Sequence, residues 1–527
     1  MIKDLDKELE EYREFFVNLN NRKEIVDIFR DVCEMGVDFK LSKKSKSVIN
    51  YKEQKEIMNN FFKPIPKKGK ILKEVLEEFK ENILDGSINF SSPRFLAFPD
   101  CGNSVAALIG HFLSGLMNQN LINSIHTSPT ATFVEIETIN WLREIVGYKL
   151  IKKPKSILDI GGIAVTGGTL ANTVGLLLAN ENKFPGTLHS GLKISSSKLK
   201  VFIPKGIGHY SIKAGMGWLG FGTKNVVEVE TTSFFTINQE DLVKKITYHK
   251  KKGNIPLCVV AYTGDSRTMA IDDFLGISKI AKKNKMWFHI DACHGLSLCF
   301  SKKLRQKVNG IELADSVTID PHKVLFTPYT SSFVLVKDPK KFGLIIGIND
   351  IITKEHFSFG QITPFLGSKA FDSLKLWFLI KHLGKEKIGR LMELRHEMAK
   401  KFSEMIESEK NFYLLNEPTI NSVAYVYIPE ELKHKLNKPF LVKKTIEKIN
   451  LLNKTIQFRI FKKGNFYVHT FLLNDFKNVL GTGTDTIIQM QRLMLGNPLT
   501  TVKDLEFLIK YTRKIAEEEW KNMVNGK

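Results

Sequence analysis

Strand-like apolar runs alternate with helical segments between about residues 96 and 390 of this 527-residue chain. The alternation predicts an α/β fold, in which helices cover a mostly parallel sheet and ligands bind beyond the carboxyl ends of the strands. Polar residues that directly follow a strand-like run are therefore the first candidates for a functional site. The runs are residues 201–203, 226–229, 257–260, 287–290, 316–319 and 333–336.

Three polar motifs lie at predicted strand ends. Lys323 closes a short polar turn after the run 316–319, and Asp291 ends the run 287–290. A strand-to-helix junction is predicted at Gly167, Gly168 and Thr169. A lysine amine, a carboxylate and a phosphate cradle are what a protein must supply to pyridoxal 5′-phosphate (PLP). We therefore interpret the three motifs as parts of one PLP site.

The chemistry of PLP explains these residue types. Its aldehyde requires an amine, which Lys323 supplies, and its ring nitrogen stays protonated beside a carboxylate such as Asp291. The two glycines allow the backbone to approach the phosphate, at which the following helix points its positive end. Considered separately, the motifs have ordinary alternatives, namely a plain turn, a loop carboxylate and a solvated lysine. Their order along the chain favours the joint interpretation.

Seven blocks of the sequence resemble the group II PLP-dependent amino-acid decarboxylases, the family of the aromatic amino-acid, histidine and glutamate decarboxylases. The resemblance runs from about residue 91 to the C-terminal region. It implies the fold type I (aspartate aminotransferase-like) architecture and a homodimer with active sites at the subunit interface. The blocks are residues 92–104, 128–142, 209–213, 287–295, 314–323, 373–378 and 496–501.

The resemblance also implies roles for single residues. Lys323 would carry PLP, Asp291 would hold the ring nitrogen, and residues 167–169 would bind the phosphate. His209 would stack on the cofactor ring, and His322 would lie beside the attached lysine and the phosphate. Without the resemblance, a structural histidine and a turn residue are the ordinary interpretations of these two.

The substrate segment departs from the family pattern. Phe98 and Asp100 stand in it as candidate substrate-binding residues, and many relatives carry a neutral residue at the position of Asp100. The carboxylate implies a more polar substrate pocket, with an exposed turn carboxylate as the alternative. Two further departures are Gly-Asp-Ser-Arg-Thr at residues 264–268, whose alternative is a local Asp–Arg pair, and Cys293 in place of an alanine.

The mobile catalytic loop of the family corresponds to residues 343–366, which contain no tyrosine here. Many relatives use a tyrosine in this loop to reprotonate the substrate carbon. The remaining candidates are His356 as the catalytic acid, a water molecule, or Tyr329 if the loop is shifted. In the family, loss of the tyrosine is associated with reaction with oxygen and formation of an aldehyde.

The sequence thus predicts an enzyme, a PLP-dependent carboxy-lyase that converts an L-amino acid to the amine and carbon dioxide. Two alternatives stay open. One is decarboxylation coupled to oxidative deamination, which gives an aldehyde, and the other is a catalytically silent PLP-fold dimer that acts through a basic surface.

We expect three parts in the chain. Residues 1–95 form a helical N-terminal segment with a break at the prolines and glycine of residues 64–69. Residues 96–390 form the large PLP-binding domain with its mostly parallel sheet, and residues 391–527 form a small α+β domain.

Composition excludes several classes of site. The five cysteines are odd in number and unpatterned, so neither a disulfide framework nor a metal site is predicted.

The charged N-terminus and the lack of an apolar run of about 20 residues predict a soluble, cytoplasmic protein without a membrane partner. The net charge of +22 comes from scattered lysines without interleaved aromatic residues, so no specific nucleic-acid partner is predicted. An incidental anionic partner and steering of anionic ligands stay open.

Overall fold

The computed structural model of the protein describes residues 2–41, 48–347 and 356–526. Its α-helices are α1 (Ile2–Arg13), α2 (Arg22–Leu41), α3 (Gln54–Phe61), α4 (Leu72–Phe79), α5 (Val105–Met117), α6 (Ala131–Val146), α7 (Gly168–Lys183), α8 (Thr187–Ser190), α9 (Tyr210–Trp218), α10 (Gln239–Lys251), α11 (Phe274–Lys283), α12 (Pro321–Val324), α13 (Ser373–Glu407), α14 (Glu430–Leu436), α15 (Val442–Lys462) and α16 (Val502–Val524). Its strands are β1 (Gly162–Val165), β2 (Leu199–Pro204), β3 (Val226–Val229), β4 (Ile255–Tyr262), β5 (Trp287–Asp291), β6 (Ser316–Ile319), β7 (Ser332–Val336), β8 (Phe412–Leu414), β9 (Ser422–Tyr427), β10 (His469–Asn474) and β11 (Ile487–Met494).

A sheet of seven strands in the order β1-β7-β6-β5-β4-β2-β3 forms the centre of the larger part of the molecule. Strands β2 to β6 run parallel to one another, and β7 is antiparallel to both of its neighbours. Every residue of β5 and β6 is buried, as expected for a parallel sheet that helices cover on both faces. The predicted α/β fold with a mostly parallel sheet is confirmed.

Parallel pairing brings the carboxyl ends of the central strands to one edge of this sheet. Asp291, the last residue of β5, pairs with Thr318 of β6 and with Tyr262 of β4. Helix α12, which contains Lys323, begins at Pro321, and only Asp320 separates it from the end of β6. The fold therefore places the predicted lysine and the predicted carboxylate at the same edge.

Helix α7 packs closely on the sheet because Gly175 has no side chain. A Cβ atom at Gly175 would lie 2.7 Å from Cε1 of the His289 ring in β5. This close approach brings Asn172, which precedes Gly175 by nearly one turn on the same face, next to β5 and β6. The helix–sheet packing thereby positions a polar side chain beneath the carboxyl edge.

A second sheet in the order β10-β11-β9-β8 is antiparallel throughout and has its own apolar core with α15 and α16. The long helix α13 belongs to both cores. Its Leu376 and Leu379 pack in the core of the large sheet, whereas Phe402 and Ile406 pack in the second core. The predicted boundary at residue 390 falls inside this helix, and the three-part division stays a prediction.

Helices α1 to α4 form the predicted helical N-terminal segment. Several large apolar side chains of this segment are exposed, among them Phe15, Phe16 and Phe62. Throughout the three described ranges, no helix combines the length and the apolar character that crossing a bilayer requires.

Candidate active site

The Nζ atom of Lys323 lies 2.8 Å from Oδ2 of Asp320, three residues earlier in the chain. The other oxygen of Asp320 accepts a hydrogen bond of 2.6 Å from the Ser332 hydroxyl of β7, which fixes the carboxylate. Burial lowers the pKa of Lys323, but the negative charge of Asp320, supported by Asp291, outweighs burial and raises this pKa well above its ordinary value. The lysine is therefore held as a partly buried, paired cation.

The carboxylate of Asp291 is buried and receives two hydrogen bonds. Asn172 Nδ2 donates to Oδ2 at 2.8 Å, and the amide of Cys293 donates to Oδ1 at 3.1 Å. Burial raises the pKa of Asp291, but the charges of His209 and Lys323 and these hydrogen bonds together lower it below its ordinary value. Asp291 is thus kept ionised inside the protein, as a partner for a protonated ring nitrogen must be.

A chain of buried hydrogen bonds runs from Trp287 to Asp291. Trp287 Nε1 donates to Ser316 Oγ at 2.8 Å, and Ser316 Oγ lies 2.7 Å from His289 Nδ1. His289 Nε2 lies 3.0 Å from Asn172 Oδ1, whose amide nitrogen donates to Asp291. Burial lowers the pKa of His289 to about 4, so its ring is neutral. Because indole and amide nitrogens only donate, every proton in this chain points toward Asp291.

His209 is the N-cap residue of α9 and lies near Asp291 and Lys323. Its Nδ1 atom is 2.8 Å from Ser211 Oγ, and its backbone amide donates to the Tyr262 hydroxyl at 2.9 Å. Burial is the main effect that lowers the pKa of His209, and the charge of Asp291 opposes it. His209 is thus anchored through one ring nitrogen and through its backbone amide, and its imidazole can lie flat against an aromatic ring.

The predicted phosphate cradle stands at the N-terminus of α7. Gly167 has a φ of 97°, which favours glycine, and a Cβ atom there would meet no atom within 4 Å. At Gly168 a Cβ atom would lie 2.5 Å from Asp320 Oδ2 and 2.8 Å from Cys293 Sγ. The turn therefore borders open space at Gly167 and the Asp320 carboxylate, the partner of Lys323, at Gly168. This cradle, the amine and the buried carboxylate fit PLP.

His322 lies beside the same pair. Its Nε2 atom is 3.8 Å from Asp320 Oδ2, and its Nδ1 atom donates to the backbone oxygen of Ser331 at 2.7 Å. The ring centroid is 4.9 Å from that of Tyr329. The His322 ring thus lies near the Asp320 carboxylate that pairs with Lys323, and its role toward the cofactor stays a prediction.

Asp100 is a buried carboxylate near Lys323 and His322, not the exposed turn residue that was the alternative. Burial raises the pKa of Asp100, and the charges of Lys323 and His322 and a hydrogen bond with Tyr329 partly oppose this rise. A cavity of about 210 Å³, lined by Asp100, His322 and Tyr329 among others, adjoins the site. The carboxylate is thus available to a bound molecule.

Phe98 packs in an aromatic group beside Asp100. Its ring centroid is 5.0 Å from that of His469 and 6.2 Å from that of Tyr467, both edge to face. The Cζ atom of Arg492 lies 5.6 Å above the Phe98 ring. Phe98 therefore provides an apolar wall close to the charged groups of Asp100 and Arg492.

Arg492 is a component of the site that sequence reasoning missed. It is buried, and its guanidinium donates to the backbone oxygens of Ala97 at 2.7 Å and Ser266 at 2.9 Å. Its Nε atom has no hydrogen-bond partner in the described residues. Burial lowers the pKa of Arg492 to about 9, with Asp265 and Asp100 opposing. Its position as the one charged residue of β11, Ile487–Met494, was the sequence signal that could have found it.

The polar turn at residues 264–268 does not form the local Asp–Arg pair that was its alternative. The Asp265 carboxylate instead accepts hydrogen bonds from the backbone amides of Arg267, Thr268 and Ala270. The Arg267 guanidinium donates to the backbone oxygen of Leu472 at 3.2 Å. The two charged groups therefore stabilise different segments.

Residues 348–355 of the predicted catalytic loop lie outside the described residues. His356 is exposed, and its backbone oxygen accepts a hydrogen bond of 2.6 Å from the amide of Ile157. In the described part of the chain, no hydrogen bond or ion pair joins the His356 side chain to Lys323 or Asp291. Its role as a catalytic acid stays a prediction.

Comparison with known proteins agrees with this arrangement. The sequence matches the family model described as "Pyridoxal-dependent decarboxylase conserved domain" over residues 55–428. An L-2,4-diaminobutyrate decarboxylase of Acinetobacter baumannii is 28% identical over 469 residues, which cover 86% of this chain and 85% of the relative. An aromatic-L-amino-acid decarboxylase of Bacillus atrophaeus is 26% identical over 489 residues, which cover 90% of this chain and 92% of the relative.

Solved structures share the fold. Mouse CSAD in its apo form aligns with a TM-score of 0.83 at 24% identity and covers 94% of this chain and 99% of its own. The glutamate decarboxylase domain of diaminobutyrate-pyruvate transaminase and L-2,4-diaminobutyrate decarboxylase from Vibrio parahaemolyticus aligns with a TM-score of 0.81 at 21% identity. This second alignment covers 97% of this chain and 99% of the other.

Proposed function

The chain belongs to the pyridoxal-dependent decarboxylase family, and from that premise we propose which of its residues carry out the decarboxylation of an amino acid. The enzyme is a PLP-dependent carboxy-lyase. The observation that supports the assignment of residues is the position of the Lys323–Asp320 pair and the ionised Asp291 at one sheet edge.

PLP, when bound, withdraws electrons from the α-carbon of its substrate. Lys323 Nζ is the point of covalent attachment, and Asp291 keeps the proton on the ring nitrogen. The backbone amides of Gly167, Gly168 and Thr169 bind the phosphate at the positive end of α7. His209 lies against the ring, and His322 lies beside Lys323 and the phosphate.

Phe98 and Asp100 bind the substrate in this proposal. Asp100 is a buried carboxylate, so it favours a side chain that brings a hydrogen-bond donor or a positive charge. The curated relatives act, by name, on L-2,4-diaminobutyrate and on aromatic L-amino acids. Of these two classes, the second amine of a diamino acid is the better complement to Asp100. We therefore propose an L-amino acid with an amine-bearing side chain as substrate.

The proposal also includes the oligomeric state, a homodimer, and the cellular compartment, the cytoplasm. Helix α5 exposes an apolar stripe with the spacing of one helix face, formed by Val105, Ile109, Phe112 and Leu116. Such a stripe suits burial against a second copy of the chain, which supports a homodimer. The five cysteines are free thiols, four of them buried, which supports a reducing compartment such as the cytoplasm.

Attachment of PLP tests the central assignment. The parent protein should be yellow, and borohydride should fix PLP to the peptide that contains Lys323. Lys323→Ala should lose both the fixed label and the release of carbon dioxide. Lys213→Ala is the matched control, since Lys213 is an exposed partner of Glu228 in the block 209–213 that also resembles the family. A label that persists in Lys323→Ala would remove this residue from its role.

A substrate panel tests the proposed specificity. Carbon dioxide release should be fastest with diamino acids such as L-2,4-diaminobutyrate, compared with L-tryptophan and L-phenylalanine. Asp100→Asn keeps the size of the side chain and removes its charge, so it should lower kcat/KM for the diamino acid more than for the aromatic substrates. An equal effect on all substrates would contradict the role of Asp100 and leave that of Lys323 untouched.

A further inference from the structure

A basic cavity of about 620 Å³ lies at the other edge of the large sheet from the active site. It is bounded by the segment before β1 and by the residues after β7, whereas the phosphate cradle follows the carboxyl end of β1. Its lining has six exposed lysines and two carboxylates, Asp159 and Asp338. The lysines are Lys149, Lys152, Lys153, Lys155, Lys337 and Lys340.

The positive charges of this basic cavity are only partly compensated, because six lysines and Arg143 face two carboxylates. In the described residues, none of the six lysine side chains forms an ion pair. The two carboxylates are engaged with backbone amides: Asp159 accepts from residues 155 and 156, and Asp338 accepts from residue 340. Six like charges around one concavity repel one another unless an anion enters.

The floor of the basic cavity is rigid, although its lysine side chains are exposed. Arg143 is buried, and its guanidinium donates to the backbone oxygens of Lys149 at 3.2 Å and Lys337 at 3.4 Å. The same group donates to the oxygens of Gly161 and Val336 at the edge of the sheet. One buried cation thus holds together the two segments that carry the lysines.

We propose that the basic cavity binds a small anion with two or more phosphate groups. Lysine is a flexible point charge that suits phosphate oxygens, and several lysines around one cavity require a ligand with several negative charges. The cavity has the volume of a small-ligand site and not the extended groove of a nucleic-acid surface. A nucleoside triphosphate and inorganic triphosphate share the chemistry that this site recognises.

Both walls of the basic cavity are connected through the backbone to the predicted catalytic loop. The segment that carries Lys152, Lys153 and Lys155 continues to Ile157, whose amide donates to the backbone oxygen of His356. On the opposite wall, Lys340 lies in the first turn of the short helix Pro339–Ile345, whose last residues belong to the same loop. An anion that joins the two walls therefore stabilises both described ends of the loop.

Calorimetric titration of the PLP-loaded enzyme at physiological salt tests the site. Inorganic triphosphate, ATP and AMP are the probes, and we expect saturable binding of one triphosphate or one ATP per chain and much weaker binding of AMP. ATP that binds as tightly as inorganic triphosphate would show that the phosphates alone are recognised, and tighter ATP binding would add a nucleoside contact. The double variant Lys152→Glu/Lys153→Glu should weaken binding at least about tenfold.

The control is Lys251→Glu/Lys252→Glu, which changes the net charge by the same amount in the exposed lysine run at the end of α10. Retained binding in this control, together with slower amide exchange at residues 156–160 of the parent protein on addition of triphosphate, is the expected result. Equal weakening in both variants would show general attraction to a basic protein and overturn the proposal. Binding that does not saturate would overturn it as well.

Discussion

The side-chain amide of Asn172 joins Asp291 to His289: Nδ2 donates to Asp291 Oδ2 at 2.8 Å, and Oδ1 lies 3.0 Å from His289 Nε2. The Thr318 hydroxyl donates to the same Oδ1 atom at 3.0 Å. These contacts fix the orientation of the amide, so that its donor and not its acceptor faces the carboxylate. Asn172 is therefore a positioning residue for Asp291.

Asn172→Ala should weaken catalysis without preventing attachment of PLP. The variant removes a hydrogen bond to a charged group, so kcat should fall about 10- to 100-fold. Because the pKa of Asp291 rises when a donor is lost, the acid limb of the kcat profile should move to higher pH. Asn180→Ala, at a buried position of the same helix that is bonded to Thr187, should leave the profile unchanged. Identical acid limbs in Asn172→Ala and the parent would contradict this role.

Asp291→Ala should still attach PLP but should release carbon dioxide much more slowly than the parent protein. The amine of Lys323 is retained, so borohydride should still fix PLP to the protein. Without a negative charge beside the ring nitrogen, carbon dioxide release should fall about 10²- to 10³-fold, the size of effect seen when one electrostatic partner of a reaction is removed. Near-normal rates in this variant would show that another group holds the ring proton.

Asp320→Asn should change the pH at which PLP attaches. The negative charge of Asp320 raises the pKa of Lys323, whereas attachment requires the neutral amine. The variant removes the largest charge that opposes burial and leaves the weaker effect of Asp291, so the pKa of Lys323 falls and attachment to the apoprotein should become fast at lower pH than in the parent. Absorbance after addition of PLP, followed from neutral to alkaline pH, measures this shift. Superimposable pH profiles would mean that Asp320 has only a structural role.

Gly168→Ala should damage the cradle through steric overlap. A methyl group there would lie 2.5 Å from Asp320 Oδ2, and overpacking of this kind costs about 1–3 kcal/mol of the free energy of unfolding. PLP affinity should fall with it, measured by spectroscopic titration beside urea denaturation. Gly115→Ala is the control, since nothing lies within 4 Å of that position in α5. Unchanged PLP affinity in Gly168→Ala would argue against the cradle.

Because residues 343–366 contain no tyrosine, we expect the enzyme to form some aldehyde in addition to the amine. If no phenol reaches the substrate carbon, reprotonation is slow and oxygen can react first, so we expect oxygen uptake and some aldehyde beside the amine. His356→Ala should increase the aldehyde share if this histidine supplies the proton. Oxygen electrode traces and product analysis measure both. Stoichiometric amine without oxygen uptake in parent and variant would contradict the prediction.

Much of the fold and part of the site could be predicted because strand ends carry the chemistry. Lys323, Asp291, His209 and His322 follow strands or start helices, and the parallel sheet gathers them at one edge. Arg492 could not be placed in this way. It lies in β11, in a different sheet, and reaches the site through contacts with the turn after β4 and the segment that contains Ala97.

The partners of the predicted residues were also beyond sequence reasoning. His289 stands in the block 287–295 and Asn172 follows the predicted cradle by three residues, but their imidazole and amide meet only because Gly175 lets α7 approach β5. Asp320 was read as part of a turn, whereas its carboxylate controls the charge of Lys323. Such pairings depend on tertiary distances, which no local pattern encodes.

Helix α13 has a consequence for how the molecule unfolds. Its 35 residues run from the core of the large sheet into the core of the small one, with a change of direction at Gly384. Unfolding of either core would expose the apolar side chains of α13 that pack in it. Neither core is therefore an independent folding unit. Heat or urea should therefore melt the two sheets in one cooperative transition.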